Sequence, residues 1–303
     1  MHVETTRLAR LRSVELAPRR FRRLAYAATA LLWAIVSTGA VVRLTGSGLG
    51  CEHWPGCEPG RPFPEKDYHA YIEFGNRLVG GVTIAATIAL ALGAWFVPGL
   101  PRWARKTAVW VCVGSIAQAP LGAITVYAHL HPLLVIPHLL LSIAVLGGAV
   151  VLSLEARRSG PARAAFAREP RLIALAITAA CFVLVVSGTF ATAAGPHSGG
   201  KHVHRIGTLD VALIAHGATV AVFGLGLIFL LGYLLAIRER SYLLGGLGLA
   251  GLVGAQMALG DVQYRTHLPW WLVLVHVAIA ATVWAWTVAF ATLLWRPVAG
   301  RSA

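Results

Sequence analysis

Charged side chains are scarce in this 303-residue sequence: Asp, Glu, Lys and Arg make up 13% of it, whereas 57% of the residues are apolar. Soluble domains rarely have this composition, since roughly a quarter of their residues are charged. A chain so poor in charge is typical of an integral membrane protein.

Acidic residues are the scarcest, with 12 Asp and Glu against 26 Lys and Arg, a net charge of +14. Most of the basic residues fall in the two tails and in alternate connections between apolar segments. The exceptions are Arg43, Arg61, Lys66, Arg77, Lys201, Arg205 and Arg265. Because Lys and Arg concentrate in cytoplasmic loops, this asymmetry predicts that both termini are cytoplasmic. The basic charge therefore indicates topology, and we expect no nucleic-acid partner.

Long apolar runs predict eight transmembrane helices, because crossing the bilayer core takes about 20 apolar residues. They are expected near residues 24–43, 71–96, 106–127, 133–154, 171–191, 208–237, 242–259 and 270–295. The first 23 residues are polar and Arg-rich, so we expect a cytoplasmic tail and no cleavable signal peptide.

Only four cysteines are present. Cys51 and Cys57 lie in the first outward-facing loop, where the compartment is oxidising, so we expect a disulfide between them. Cys112 and Cys181 lie inside predicted helices and are interpreted as small packing residues.

The sequence contains an internal repeat. At an offset of 138 residues, Gln118, Gly122, His129 and His138 match Gln256, Gly260, His267 and His276. Near an offset of 140, Asn76 falls on His216. The repeat predicts an all-α integral membrane fold of two pseudo-symmetric four-helix bundles with the same orientation. The expected divisions are a tail (1–23), a first half (24–154), a linker (155–170), a second half (171–295) and a tail (296–303).

Four polar side chains, Asn76, His138, His216 and His276, share one depth near the outer ends of the even-numbered helices. Ionisable groups are costly inside a membrane, so each needs a reason. In the second half, His216 and His276 have the arrangement in which two imidazoles clamp a haem between helices. Structural histidines are the alternative. Zinc fits less well, because further ligands are lacking at that depth.

The first half differs, because it has the weak ligand Asn76 opposite His138. Glu73 stands three residues before Asn76 on the same helix face, and its counterpart in the second half is Leu213. Glu73 is therefore a candidate catalytic group, and an ion pair with Arg77 is the alternative interpretation. This asymmetry predicts one half that holds electrons and one in which a reaction occurs.

Other polar residues give weaker signals. Three arginines at the outer boundary could pair with haem propionates or with lipid headgroups: Arg43, Arg77 and Arg265. Histidines of the outer turns are expected to cap helices or to touch propionates: His129, His131 and His267. Polar loop surface is the expected role of His197, Lys201, His202 and His204.

Several segments together resemble the haem A synthase family: VVRLTGSGLGCEHWPGC, IEFGNRLVGG, QAPLGAITV and the PHLL and LVHV histidine segments. The resemblance extends from about residue 25 to about residue 295. It implies an eight-helix enzyme of the bacterial plasma membrane that oxidises a methyl substituent of haem O to the formyl group of haem A. That product serves terminal oxidases of the aa3 type.

The resemblance also implies roles for individual residues. His216 and His276 match the axial ligands of a haem B cofactor, and His138 matches a ligand of the substrate haem. Asn76 and Arg77 are placed at the same substrate site. Glu73 matches an important helix 2 glutamate, and Cys51 with Cys57 match a loop disulfide. Haem O synthase and an electron acceptor are the implied partners.

This chain departs from the family at two places. The family commonly has histidine where Asn76 stands, and bacterial members often have a second cysteine pair in the loop after helix 5, which is absent here. A dihaem electron carrier resembling a cytochrome b subunit is the main alternative, but it predicts two histidines in each half. A transporter is a second alternative, for which polar groups nearer the bilayer midplane are expected.

Overall fold

The residues that the structure describes form eight long helices, and each is long and apolar enough to cross a membrane. A computed structural model describes residues 15–51, 53–58, 60–61, 63–64, 67–158, 166–197 and 205–297. The helices are α1 (Pro18–Leu44), α2 (Tyr68–Phe96), α3 (Arg102–Tyr127), α4 (Pro132–Ala156), α5 (Arg168–Ala194), α6 (Leu209–Ala236), α7 (Arg240–Arg265) and α8 (Trp270–Trp295). The all-α fold of eight apolar helices is therefore confirmed. The predicted loop residues Lys201, His202 and His204, most of the predicted tails, and residues 159–165 of the predicted linker lie outside the described residues.

The helix ends depend more on the local residues at each end than on where the apolar runs stop. Helix α1 begins at Pro18, six residues before the predicted start, because proline is favoured at the first helical position. Helix α7 continues to Arg265 instead of ending near residue 259, and Arg265 pairs with Asp261 one turn earlier at 2.8 Å. Apolar runs therefore locate the helices but miss the polar turns at their ends.

Each half of the chain closes into a ring of four helices. Helix α1 packs against α2, α2 against α3, α3 against α4, and α4 returns to α1. The same order holds for α5, α6, α7 and α8. Along their described residues, the diagonal partners α2 and α4 have no Cα atoms within 8 Å of each other, and neither do α6 and α8. Both rings therefore leave room between the two helices that carry the repeated polar residues.

The two rings meet along a seam formed by α1, α4, α5 and α8. Helix α4 packs against α8, and the flanking contacts of α1 with α8 and of α4 with α5 are equivalent under a two-fold relation. The indole of Trp33 donates to Thr282 Oγ1 at 3.0 Å, and that of Trp284 donates to the Ile143 carbonyl at 2.7 Å. A β-carbon on Gly147 would lie 3.3 Å from the Trp284 ring, so this glycine lets the ring pack closely. Small residues of this kind allow membrane helices to approach each other.

The turns between α3 and α4 and between α7 and α8 repeat the same backbone shape. His129 and Leu130 have φ of 51° and 59°, and His267 and Leu268 have φ of 63° and 59°. In each turn the leucine N–H donates a hydrogen bond to the carbonyl five residues earlier. Leu130 donates to Thr125 at 2.8 Å, and Leu268 donates to Gln263 at 2.7 Å. The sequence repeat is therefore also a repeat of backbone conformation.

Candidate functional site

The second-half site consists of His216 on α6 and His276 on α8, the diagonal helices of the second ring. Both side chains are partly exposed although they lie well inside their helices, so they border open space. The two histidines therefore lie on the diagonal helices of one ring, and their pairing across the bundle stays a prediction.

Residues of α5 fix the His216 ring. Ser187 Oγ lies 2.9 Å from Nδ1 of His216 and 2.7 Å from Thr219 Oγ1. A β-carbon on Gly188 would lie 3.2 Å from Cε1 of the His216 imidazole. Any larger residue at position 188 would therefore crowd this side chain. An imidazole held through Nδ1 presents Nε2 to a ligand, which is how histidines that bind metals are commonly oriented.

His276 is supported differently, through its backbone. Gln256 Nε2 donates to the His276 carbonyl at 2.8 Å, and a β-carbon on Gly260 would lie 3.4 Å from Cε1 of the ring. Its Nδ1 is buried and lacks a hydrogen-bond partner within the described part of the chain. Buried polar atoms are nearly always paired, so an unpaired one calls for an explanation such as an absent ligand or water.

His138 on α4 repeats this environment in the first half. Gln118 Nε2 donates to the His138 carbonyl at 3.2 Å and to Ser142 Oγ at 2.9 Å. A β-carbon on Gly122 would lie 3.4 Å from Cε1 of His138, as Gly260 does for His276. The Nδ1 atom of His138 is likewise buried without a partner among the described residues.

Asn76 on α2 breaks the symmetry. Its Oδ1 accepts a hydrogen bond of 2.7 Å from Thr38 Oγ1 on α1. Since Ser37 aligns with Ser187, Thr38 stands where the second half has Gly188. The first ring therefore has one imidazole and one tethered amide where the second ring has two imidazoles.

Glu73 and Arg77 join α2 to the outer loop. Glu73 is only 4% exposed; its Oε1 lies 2.5 Å from Arg77 Nη2 and its Oε2 accepts the Cys51 N–H at 2.9 Å. Arg77 Nη1 donates to the carbonyls of His53, at 2.6 Å, and of Gly56. These contacts match the ion pair left open by the sequence, but the pair is buried under the loop instead of being solvated by it.

The predicted disulfide between Cys51 and Cys57 is present, with Cα atoms 4.4 Å apart. The loop that it closes lies directly on the first turn of α2. A β-carbon on Gly50 would lie 2.5 Å from the His69 carbonyl carbon, and Ser47 Oγ lies 2.9 Å from His69 Nδ1. No sequence pattern indicated His69 or Ser47, because their contact depends on how the loop folds back.

The other arginines make protein contacts. Arg43 Nη2 donates to the Thr192 carbonyl at 2.8 Å and so links the outer end of α1 to that of α5 across the seam. Arg265 pairs with Asp261 on the surface. Neither contact involves the polar residues at the ring centres.

The remaining histidines and cysteines have structural positions. His131 caps α4, accepting the Leu133 N–H at 3.4 Å, as expected for a turn histidine. His197 Nε2 lies 2.7 Å from the Leu268 carbonyl, which links the loop after α5 to the α7–α8 turn. Cys181 is buried in the core, in agreement with a packing role, and Cys112 is partly buried.

The arrangement fits haem better than a small metal ion. Within the described ranges, no group of three His, Cys, Asp or Glu side chains could hold a metal ion. A haem iron requires only one or two axial side chains from the protein. The diagonal gaps and the glycines beside the imidazoles suit a flat macrocycle between helices.

Comparison with known proteins supports a common ancestry with haem enzymes. The haem A synthase of Bacillus licheniformis is 34% identical over 126 residues, which cover 41% of each chain. The haem A synthase of Shewanella oneidensis is 26% identical over 319 residues, covering 86% of this chain and 92% of the relative. A protohaem IX farnesyltransferase of Thermus thermophilus is 28% identical over 298 residues, covering 88% of this chain and 47% of the relative.

These matches differ in extent. In the Bacillus and Thermus relatives, the chain spans less than half of the relative's length. A family model described as cytochrome oxidase assembly protein matches residues 22–196, more than half of the chain, and includes the disulfide loop, Glu73, Asn76 and His138. The chain therefore belongs to the COX15-CtaA family of cytochrome oxidase assembly proteins.

Proposed function

We propose that this protein is a haem A synthase, which oxidises a methyl substituent of haem O to the formyl group of haem A for assembly of an aa3-type cytochrome oxidase. The observation that carries the proposal is the chemical difference between two otherwise matched rings. One ring has two imidazoles, and the other has an imidazole, an amide and a nearby carboxylate. Family membership and the haem A synthases among the relatives support it.

In this proposal the second ring holds a haem B cofactor through His216 and His276. The hydrogen bond between Ser187 Oγ and Nδ1 of His216, and the space beside Gly188 and Gly260, support the two imidazoles as the groups that would hold the haem iron. The bound cofactor supplies one-electron chemistry, and the residues around it keep the imidazoles oriented and exclude water.

The first ring is proposed to bind the substrate haem O through His138, with Asn76 opposite and Arg77 at the outer end. Asparagine is a poor ligand for iron, so one side of the substrate is left available for reaction. Thr38 holds the Asn76 amide oxygen, and Arg77 holds the outer loop down on α2. These residues position the substrate and close the site.

The proposed reaction takes four electrons from the methyl carbon in two successive hydroxylations, followed by loss of water from the geminal diol. Glu73 is the proposed acid/base group near the reacting edge. Its carboxylate is already ordered by Cys51 and Arg77, so it can act without a search over rotamers. A haem B held by His216 and His276 would supply the one-electron chemistry that removes these electrons.

The proposal places both termini in the cytoplasm and both haem sites in the outer half of the membrane. Lys and Arg concentrate at the starts of α1, α3 and α5 and at the end of α8, which all lie on the same side of the membrane as the two termini. This distribution supports the proposed orientation. The cysteine pair then faces the oxidising side, which agrees with the disulfide between them.

A haem O synthase is the proposed partner that supplies the substrate. The Thermus relative is named for farnesyl transfer to protohaem, and the match to this chain leaves more than half of its length uncovered. A single protein that combines a farnesyltransferase with a segment similar to this chain is expected if haem O synthesis and haem A synthesis are coupled.

The test is to purify the protein and identify the haems extracted from it by liquid chromatography and mass spectrometry. Haem B together with haem O, a hydroxylated intermediate or haem A supports the synthase. Haem B alone identifies an electron carrier, and a preparation free of haem contradicts both functions.

A further inference from the structure

A groove lies between the two rings at the end of the molecule opposite the histidine sites. It encloses about 440 Å³, within the usual range for ligand pockets. Its walls come from α3, α4, α5 and α8: Trp103, Val151, Leu175, Thr178, Val288, Ala291, Thr292, Trp295 and Arg296. Val151 is thirteen residues beyond His138 on α4, a rise of about 20 Å, so the groove is separate from the proposed haem sites.

The interior of the groove is chemically apolar. Its two hydroxyl groups are used within their own helices: Thr178 donates to the Ala174 carbonyl at 2.8 Å and Thr292 to the Val288 carbonyl at 2.7 Å. A polar ligand would lose its hydration here without gaining hydrogen bonds. Hydrocarbon is therefore the suitable occupant.

The groove opens toward the surface that faces lipid. Leu175 and Trp295 at its edge are 54% and 41% exposed although both lie in apolar membrane-spanning helices. An acyl chain of the surrounding bilayer can therefore reach the groove sideways.

The mouth of the groove is cationic. Arg171 stacks on Trp295 with 5.1 Å between its guanidinium carbon and the ring centre, and Arg296 stacks on Trp103 at 5.0 Å. Arg158 and Arg296 both contact Glu155, at 3.4 and 3.2 Å. Two arginines thus pair with one carboxylate, and Arg171 is a third cation, held on Trp295 without a pair to Glu155. Stacking on tryptophan holds Arg171 and Arg296 in place.

We propose that this groove binds an anionic phospholipid, with an acyl chain between the two rings and the phosphate at Arg171 and Arg296. The excess of guanidinium over carboxylate at the mouth favours a lipid with net negative charge over a zwitterionic one. This end of the molecule carries the basic loops, so it lies in the leaflet whose anionic lipids attract Lys and Arg. The lipid would fill the seam at its inner end.

The test measures retention of phosphatidylglycerol and phosphatidylcholine with identical acyl chains by native mass spectrometry of the purified full-length protein. The wild-type protein should prefer phosphatidylglycerol. Arg171→Gln leaves the Glu155 ion pairs intact and should weaken that preference about fivefold, which corresponds to about 1 kcal/mol for one arginine near a membrane surface. Arg240→Gln, at the exposed start of α7, is the matched control and should leave the preference unchanged.

A second variant tests the groove itself. Ala291→Phe should fill the space and reduce retention of both lipids, with monodisperse elution and unchanged helical circular dichroism as checks on folding. Equal binding of the two lipids by the wild-type protein, or equal losses in Arg171→Gln and Arg240→Gln, would overturn the proposal. So would a change of oligomeric mass in Ala291→Phe with lipid retention unaltered, since the groove would then be a contact between copies of the chain.

Discussion

At the scale of single residues, the pair of Asn76 and Thr38 distinguishes the two rings. In the second ring, Gly188 leaves space beside His216, whereas Thr38 fills the matching position and bonds to Asn76. Asn76→His alone should therefore fit poorly, but Asn76→His combined with Thr38→Gly should create a second site with two imidazoles. The measurement is the electron paramagnetic resonance spectrum of the haem-loaded protein, in which the double variant gains a low-spin signal.

Thr38→Gly alone serves as the control for that substitution and should show no additional low-spin signal. Identical spectra for the single variant Asn76→His and the double variant would contradict the role given to Thr38.

The ligand pair of the second ring can be tested in the same way. His276→Ala should abolish the low-spin haem B spectrum, because one imidazole cannot supply both axial bonds. His267→Ala, in the turn just before α8, is a suitable control and should retain it. An unchanged spectrum in His276→Ala would reject the assignment of this axial ligand.

Substitutions can separate the proposed acid/base role of Glu73 from the role of Arg77 in holding the outer loop. Glu73→Gln keeps an oxygen for the Cys51 N–H but removes the charge, so conversion of haem O should fall at least 100-fold, as for loss of an acid/base group, while haem B stays bound. Arg77→Gln keeps the carboxylate and removes the loop contacts, so it should mainly expose the loop to proteolysis. Haem products and protease cleavage are measured on both variants.

If Glu73→Gln retained full activity, the carboxylate would serve only to hold the loop. If instead both variants lost the loop and the activity together, Glu73 would be a positioning residue and not an acid/base group.

At the scale of elements, the disulfide loop depends on its close approach to α2. A β-carbon at Gly50 would collide with backbone atoms of His69, which cannot move aside as a flexible side chain could. Gly50→Ala should therefore destabilise the protein by about 1–3 kcal/mol, the usual cost of overpacking, and should increase the reactivity of Cys51 and Cys57 to a thiol reagent under mild reduction. Gly60→Ala, with open space around it, tests whether any glycine change in the loop has this effect, although its φ of 73° adds strain of its own.

The eight helices could be predicted because each needs about 20 apolar residues, and such runs are visible without any tertiary information. The histidine positions could also be predicted, since the repeat aligns them. The supports of these histidines could not be, because Ser187 and Thr38 are ordinary small residues whose partners lie on another helix. The last turn of α7 was missed for a similar reason: Asp261 and Arg265 look like a loop until they pair along a helix.

At the scale of the whole molecule, the seam between the rings should hold without a covalent link. Trp33 and Trp284 bond across it, Arg43 reaches Thr192, and apolar residues of both rings form one continuous core. Two chains separated between Ala156 and Arg168 and expressed together should therefore copurify through a tag on one of them. Gly147→Leu should abolish this association by displacing Trp284, whereas Gly217→Leu, on α6 with no neighbour near its β-carbon, should not.

The seam also has a consequence for how substrate reaches the first ring. Helices α1 and α4 pack against the second ring, whereas α2 and α3 form the side of the first ring that is farthest from it. The outer end of the ring lies under a disulfide-closed loop fastened to α2 by Glu73 and Arg77. In the proposed function, haem O is poorly soluble in water, so we expect it to reach the first ring laterally from the bilayer and not through this covered outer end.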